Sequence, residues 1–86
     1  MRLPMRPLIV LYTRAGCHLC DDAHDLLVSR GLRPRLVDID ADPALRESFH
    51  EWVPVVEING QVRLRGIVNA VLLDRELLHA ATGEGD

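Results

Sequence analysis

A change of hydrophobic period at Cys17 limits the folds open to this chain more than any other feature. Residues 8–12 form a continuous apolar run rich in β-favouring side chains, which is typical of a buried central strand. After this run the apolar residues recur at helical spacing, and Gly31 follows where a helix C-terminal glycine belongs. The chain therefore starts with a strand that leads directly into an amphipathic helix. The apolar positions of this helix are Leu19, Ala23, Leu26 and Leu27.

A second strand and a second helix follow the first pair. Residues 35–39 alternate imperfectly and indicate a strand. Asp42-Pro43 is a helix start, because aspartate is a favoured N-cap and proline fits the first helical position. This helix is expected to end near residue 51, before Pro54. The strand–helix–strand order forms a βαβ unit, whose crossover should be right-handed.

The last third of the chain indicates a hairpin and a closing helix. Asn59-Gly60 separates two apolar runs, residues 55–58 and 61–65, and this dipeptide is a strong hairpin signal. Asn69 is the expected N-cap of a helix over 70–81, and residues 82–86 are expected to be a disordered tail. The order β-α-β-α-β-β-α predicts one α/β domain over 1–86, with a four-stranded mixed sheet and helices on both faces.

Composition narrows the class of protein. The hydrophobic fraction of 48% supports a packed core, and the net charge of −3 disfavours a nucleic-acid partner, which would need a basic face. The apolar run at residues 8–12 is too short for a secretion signal or a membrane span. Two cysteines are too few for a secreted disulfide scaffold. We therefore expect a cytoplasmic protein with no membrane or nucleic-acid partner.

Cys17 and Cys20 lie at the junction of the first strand and the first helix. The thiolate is the reactive form of cysteine, and unpaired N–H groups at a helix N-terminus favour negative charge. We therefore predict that Cys17 attacks a disulfide. Cys20, one turn further on and more buried, then releases the product by closing a Cys17–Cys20 disulfide. Arg14 could stabilise the thiolate, and His18 either influences both sulfurs or is simply solvated.

The cysteine pair also has two other interpretations. One is half of a zinc site, for which His18 and His24 would have to supply further ligands. The other is a pair of buried thiols that have no chemical role. The βαβ context favours redox chemistry over both, because a C-x-x-C pair beside such a unit is typical of thiol–disulfide exchange.

Three segments occur in the order and spacing of a known family: residues 11–20 (LYTRAGCHLC), then Val53-Pro54-Val55, then Gly66. On these segments the chain resembles the glutaredoxin-like branch of the thioredoxin superfamily, in particular small bacterial proteins with a Cys-His-Leu-Cys motif. The resemblance implies a thioredoxin-like fold. It also implies a cis peptide bond at Val53–Pro54, facing the cysteines, with the Val53 backbone pairing to a bound thiol peptide like an added strand.

The resemblance further implies an activity and a binding site. Such a protein reduces protein disulfides or glutathione mixed disulfides, with glutathione as a candidate co-substrate, and a reductant must regenerate the dithiol. No tightly bound cofactor or metal is expected. Two alternatives stay open: a metal or iron–sulfur carrier with Cys17 as a ligand, and a redox-inert interaction module. The residues that the resemblance assigns to glutathione are Arg14, Val53, Gly66, Val68 and Asn69.

Overall fold

The computed structural model describes residues 7–82, which form four strands and three α-helices in the predicted order. One short 3-10 helix was not predicted. No helix within residues 7–82 has the length and apolar character needed to cross a membrane. The elements are β1 (Ile9–Thr13), α1 (His18–Ser29), β2 (Arg35–Asp38), the 3-10 helix (Ile39–Ala41), α2 (Pro43–Phe49), β3 (Val55–Ile58), β4 (Gln61–Arg65) and α3 (Ala70–Thr82).

The sheet has the strand order β2-β1-β3-β4. β1 pairs in parallel with β2 and antiparallel with β3, so Leu11 lies opposite both Leu36 and Val56. β1 is therefore a central strand, in agreement with its continuous apolar run. The hairpin between β3 and β4 turns at Asn59-Gly60, where both residues have positive φ as a type I′ turn requires. The mixed four-stranded sheet is as predicted.

The main core lies between one face of the sheet and the helices α1 and α3. Leu11, on β1, and Leu27, on α1, are fully buried within it. This explains the helical spacing of the apolar residues, since positions one or two turns apart face the same side. The other buried members of this core are Ile9, Ala23, Val56, Ile58, Leu64 and Leu73.

A second, smaller cluster of buried residues includes a cysteine. Its buried members are Cys20, Ile39 and Val53. Tyr12 and Phe49 pack at its border, with ring centroids 4.8 Å apart. α2 has only seven residues and none of them is buried, so this second layer is thin. The sequence of α2, PALRESF, has correspondingly few apolar side chains.

Several predicted boundaries differ from the observed ones by one or two residues, and β1 spans Ile9–Thr13 where residues 8–12 were predicted. β2 ends at Asp38 because the Asp38 side chain caps the 3-10 helix, accepting from the Asp40 nitrogen at 2.9 Å, and Ile39 turns into the smaller cluster. α2 ends at Phe49, since His50 has a φ of 21°. α3 extends through Thr82, and the rest of the predicted tail, residues 83–86, lies outside the described residues.

Leu27→Ala should be strongly destabilising, because the side chain is fully buried between α1 and the sheet. Removing a buried leucine leaves a cavity, and we expect the free energy of unfolding to fall by about 2–5 kcal/mol. Chemical denaturation monitored by circular dichroism measures this. Val28→Ala is the matched control on the same helix, because Val28 is exposed, and it should change stability by no more than about 0.5 kcal/mol. If both variants lost the same free energy of unfolding, the result would contradict the placement of Leu27 in the core.

Candidate functional site

Cys17 is the N-cap of α1. Its backbone is extended, its nitrogen donates to the Arg14 carbonyl at 3.3 Å, and its sulfur accepts from the Cys20 nitrogen at 3.1 Å. The turn that leads into this position contains Gly16 with a φ of +80°. The Cys17 sulfur therefore occupies the place at which a helix N-terminus offers unpaired N–H donors and positive potential. This arrangement is the one expected for a sulfur that carries negative charge.

The two cysteines differ in their access to solvent. They are joined as a disulfide, with Cα atoms 5.2 Å apart. Cys17 is half-buried, whereas Cys20 is 2% exposed and packs with Ile39 and Val53. A partner molecule can therefore approach the sulfur of Cys17 more readily than that of Cys20.

The loop before β3 contacts the cysteines. The Val53–Pro54 peptide bond is cis, and Val53 packs in the cluster with Cys17 and Cys20. The Pro54 carbonyl accepts from the Gly66 nitrogen at 2.8 Å, which joins this loop to the end of β4. Gly66 has a φ of +77°, a conformation that favours glycine. The structure thus brings Cys17, Cys20 and Val53 together, with Pro54 next to Val53 in the chain and Gly66 hydrogen-bonded to the Pro54 carbonyl.

Other predicted site residues lie at helix starts. Asn69 is the N-cap of α3, as predicted, and its Oδ1 accepts from the Leu72 nitrogen at 2.8 Å. Val68 is half-buried and packs against the main core. His18 is the exposed first residue of α1. The roles of these residues in binding remain predictions.

Arg14 forms an ion pair with Asp40. Its Nε and Nη2 donate to the two carboxylate oxygens of Asp40 at 3.1 and 2.6 Å, and its Nη1 donates to the His50 carbonyl at 3.2 Å. The hydrogen bond from Arg14 holds the pKa of the Asp40 carboxyl below its usual value, and its charge acts in the same direction. The guanidinium therefore joins the turn before α1 to the 3-10 helix and the end of α2.

A groove of about 370 Å³ opens between the turn before α1, the first turns of α1 and the end of β2. It is lined in part by Cys20 and by three titratable residues that were not among the predicted redox-site residues: Asp21, His24 and Asp38. His24 was considered from the sequence only as a possible zinc ligand, although residues four apart, such as Cys20 and His24, share a helix face. No group of three or more metal-ligating side chains occurs within residues 7–82.

Comparison with known proteins settles the family. A sequence model of the glutaredoxin-like domain (DUF836) matches residues 8–79. The chain belongs to this glutaredoxin-like family. The chain is also similar to the structural-genomics target XcR50 from X. campestris, with 36% identity, a TM-score of 0.72, and coverage of 84% of this chain and 96% of that one.

More distant structures support the fold. The protein Ne2328 from Nitrosomonas europaea is 22% identical with a TM-score of 0.69, and the match covers 88% of this chain and 98% of that one. A glutaredoxin from Archaeoglobus fulgidus is 20% identical with a TM-score of 0.61, covering 84% and 86%. The thioredoxin-like fold is thereby confirmed. In a glutaredoxin-like domain, the Cys17–Cys20 pair supports a redox type of role.

The Arg14–Asp40 pair predicts how stability depends on acid. Folding lowers the pKa of Asp40 below its ordinary value of 3.8, so the pair stabilises fully above that value. The contribution is lost as the pH falls through the lower folded-state pKa. Asp40→Asn should therefore reduce the free energy of unfolding near neutral pH, and its difference from the wild type should shrink toward zero in strong acid. Chemical denaturation over a series of pH values measures both.

The Arg14→Gln background is the control for this prediction. Without the cation, Asp40→Asn should have little effect on the free energy of unfolding at any pH. A loss of the same size in both backgrounds would mean that Asp40 acts through its position in the 3-10 helix and not through the pair.

Proposed function

We propose that this glutaredoxin-like domain is a thiol–disulfide oxidoreductase that reduces protein disulfides or glutathione mixed disulfides. Cys17 is the nucleophile and Cys20 is the resolving thiol. The observation that carries this proposal is the position of Cys17: it caps α1, its sulfur accepts the Cys20 N–H, and it is the more exposed of the two cysteines. A helix N-terminus stabilises the thiolate that the reaction needs.

The reaction has two exchanges. The Cys17 thiolate attacks one sulfur of a substrate disulfide, forms a bond to it, and displaces the other sulfur as a thiolate that takes up a proton. The Cys20 thiol then loses its proton, its sulfur attacks that of Cys17, and the second substrate sulfur leaves as a thiol. The substrate gains two electrons and two protons, and the protein is left with a Cys17–Cys20 disulfide. A dithiol donor or two molecules of glutathione return it to the reduced form.

The surface around Cys17 supports binding of an extended thiol peptide. The loop that contains Val53 lies against Cys17, so its backbone can pair with such a peptide in the manner of an added strand. Trp52, beside this loop, is half exposed and offers an apolar contact. We assign further substrate contacts to the positions that flank Cys17 in the structure or in the family resemblance: Arg14, His18, Pro54, Gly66 and Asn69.

We place this activity in the cytoplasm, where thiols are kept reduced and a close cysteine pair is generally catalytic. Glutathione is the proposed co-substrate. The two proposed exchanges move only electrons between sulfur atoms and protons, so we propose no metal or tightly bound cofactor for them.

The proposal is tested by trapping the covalent intermediate. Cys20→Ser should accumulate a mixed disulfide on Cys17, because the thiol that releases the product has been removed while the nucleophile remains. Incubation with oxidised glutathione, and separately with a cell extract, followed by non-reducing electrophoresis and intact-mass spectrometry, identifies the adducts and the protein partners.

Cys17→Ser is the matched control, because it keeps one thiol but removes the one above the helix start. It should form few adducts. Adducts on Cys17→Ser and none on Cys20→Ser would reverse the assigned roles. If neither variant forms adducts while both remain folded, the domain is not a disulfide reductase.

A further inference from the structure

The second exchange poses a problem of proton transfer at Cys20. Its side chain is 2% exposed and packs with Ile39 and Val53. Burial among apolar groups disfavours the charged form of a thiol. Cys20 also lies one turn inside α1, so it lacks the position over the helix end that favours the Cys17 thiolate. A base that removes the Cys20 proton as the sulfur attacks would lower this barrier.

The groove beside α1 gives polar groups access to Cys20. It is lined by Cys20, by Asp21 and His24 of the same helix, and by Asp38 at the end of β2. Its volume of about 370 Å³ is enough for several water molecules, each of which occupies roughly 30 Å³ in the liquid. The groove therefore provides a route for a proton between Cys20 and a base on its wall.

His24 has the placement and the chemistry of that base. It follows Cys20 by four residues on α1, so both side chains lie on the same face of the helix. The side chain is 41% exposed, and its Nδ1 lies 3.7 Å from the Asp25 Oδ1. Imidazole is a common general base in catalysis, because its neutral ring has a nitrogen that can accept a proton.

The other charged groups of the groove are less suited to this role. Arg14 is a cation already paired with Asp40. Asp38 uses its Oδ1 to accept from the Asp40 nitrogen, which holds the 3-10 helix. Asp21 is an exposed carboxylate, and carboxylates are much weaker bases than imidazole toward a thiol.

We infer that His24 accepts the Cys20 proton through the groove during the second exchange; this rests on the function proposed above. The Cys20 S–H proton passes to the imidazole as the Cys20 sulfur attacks Cys17. The Cys17–Cys20 bond forms and the bond from Cys17 to the substrate sulfur breaks. The departing thiolate takes up a proton, and the imidazolium returns its own to solvent, so His24 is neutral again for the next cycle.

The two exchanges can be followed separately by stopped-flow absorbance. Reduced protein mixed with a chromogenic aromatic disulfide releases one coloured thiolate when Cys17 attacks and a second when Cys20 closes the disulfide. In His24→Gln the first phase should be unchanged, while the second should slow by about tenfold or more near neutral pH. The pH profile of the second phase should also differ between the wild type and this variant, because the variant lacks the base.

His79→Gln is the matched control, because His79 is an exposed histidine near the end of α3 and lines no part of the groove. It should leave both phases as in the wild type. Added imidazole should restore the second phase in His24→Gln and change little in the control. Circular dichroism establishes that both variants are folded.

The outcomes distinguish failure of the proposed oxidoreductase function from failure of the proposed role of His24. If wild-type protein shows no first phase, the proposed oxidoreductase function fails. If both phases occur and His24→Gln keeps the wild-type rate and pH profile of the second, only the role of His24 is overturned. The same holds if both phases fall equally in the variant, since His24 would then act on the site as a whole.

Discussion

The hydrogen bond from the Cys20 nitrogen to the Cys17 sulfur sets the geometry on which the rest of the site depends. It makes a cysteine serve as an N-cap, a place usually taken by an oxygen-bearing side chain. The helix then supplies donors and positive potential to that sulfur for as long as the helix is held in place. Ala23 and Leu27 hold it by packing against β1 and its neighbours. The reactivity of one sulfur therefore depends on the main hydrophobic core.

The difference between the two sulfurs comes from the thinner second layer. Cys20 is covered by Ile39 and Val53, one from the 3-10 helix and one from the loop before Pro54. These contacts bury the resolving thiol and leave the capping sulfur more accessible. They also disfavour the charged form of Cys20, which is why a base on the adjacent groove matters to the proposed second exchange. The same burial therefore supports both proposals: the different roles of the two sulfurs and the need for proton transfer at Cys20.

Local signals in the sequence were enough for most of the fold. The apolar run of β1, the Asn59-Gly60 turn and the caps at Asp42 and Asn69 each act within a few residues, and each prediction was confirmed. The inward turn of Ile39 was missed, because its burial depends on packing with Cys20, far away in the chain. The placement of Val53 against the cysteines was implied by family resemblance and could not be derived from local pattern, because sequence-distant contacts leave no periodicity.

The ion pair between Arg14 and Asp40 could not be predicted from local sequence pattern either. It also reduces the positive charge that Arg14 offers to Cys17. Asp40 is 26 residues away, and no local spacing connects the two. An unpaired arginine three residues before Cys17 would add to the positive potential at the sulfur, but a carboxylate that accepts two of its N–H groups cancels most of that field. The helix N-terminus then offers positive potential at Cys17 that this ion pair does not neutralise, and Arg14 also ties the turn before α1 to the His50 carbonyl at the end of α2.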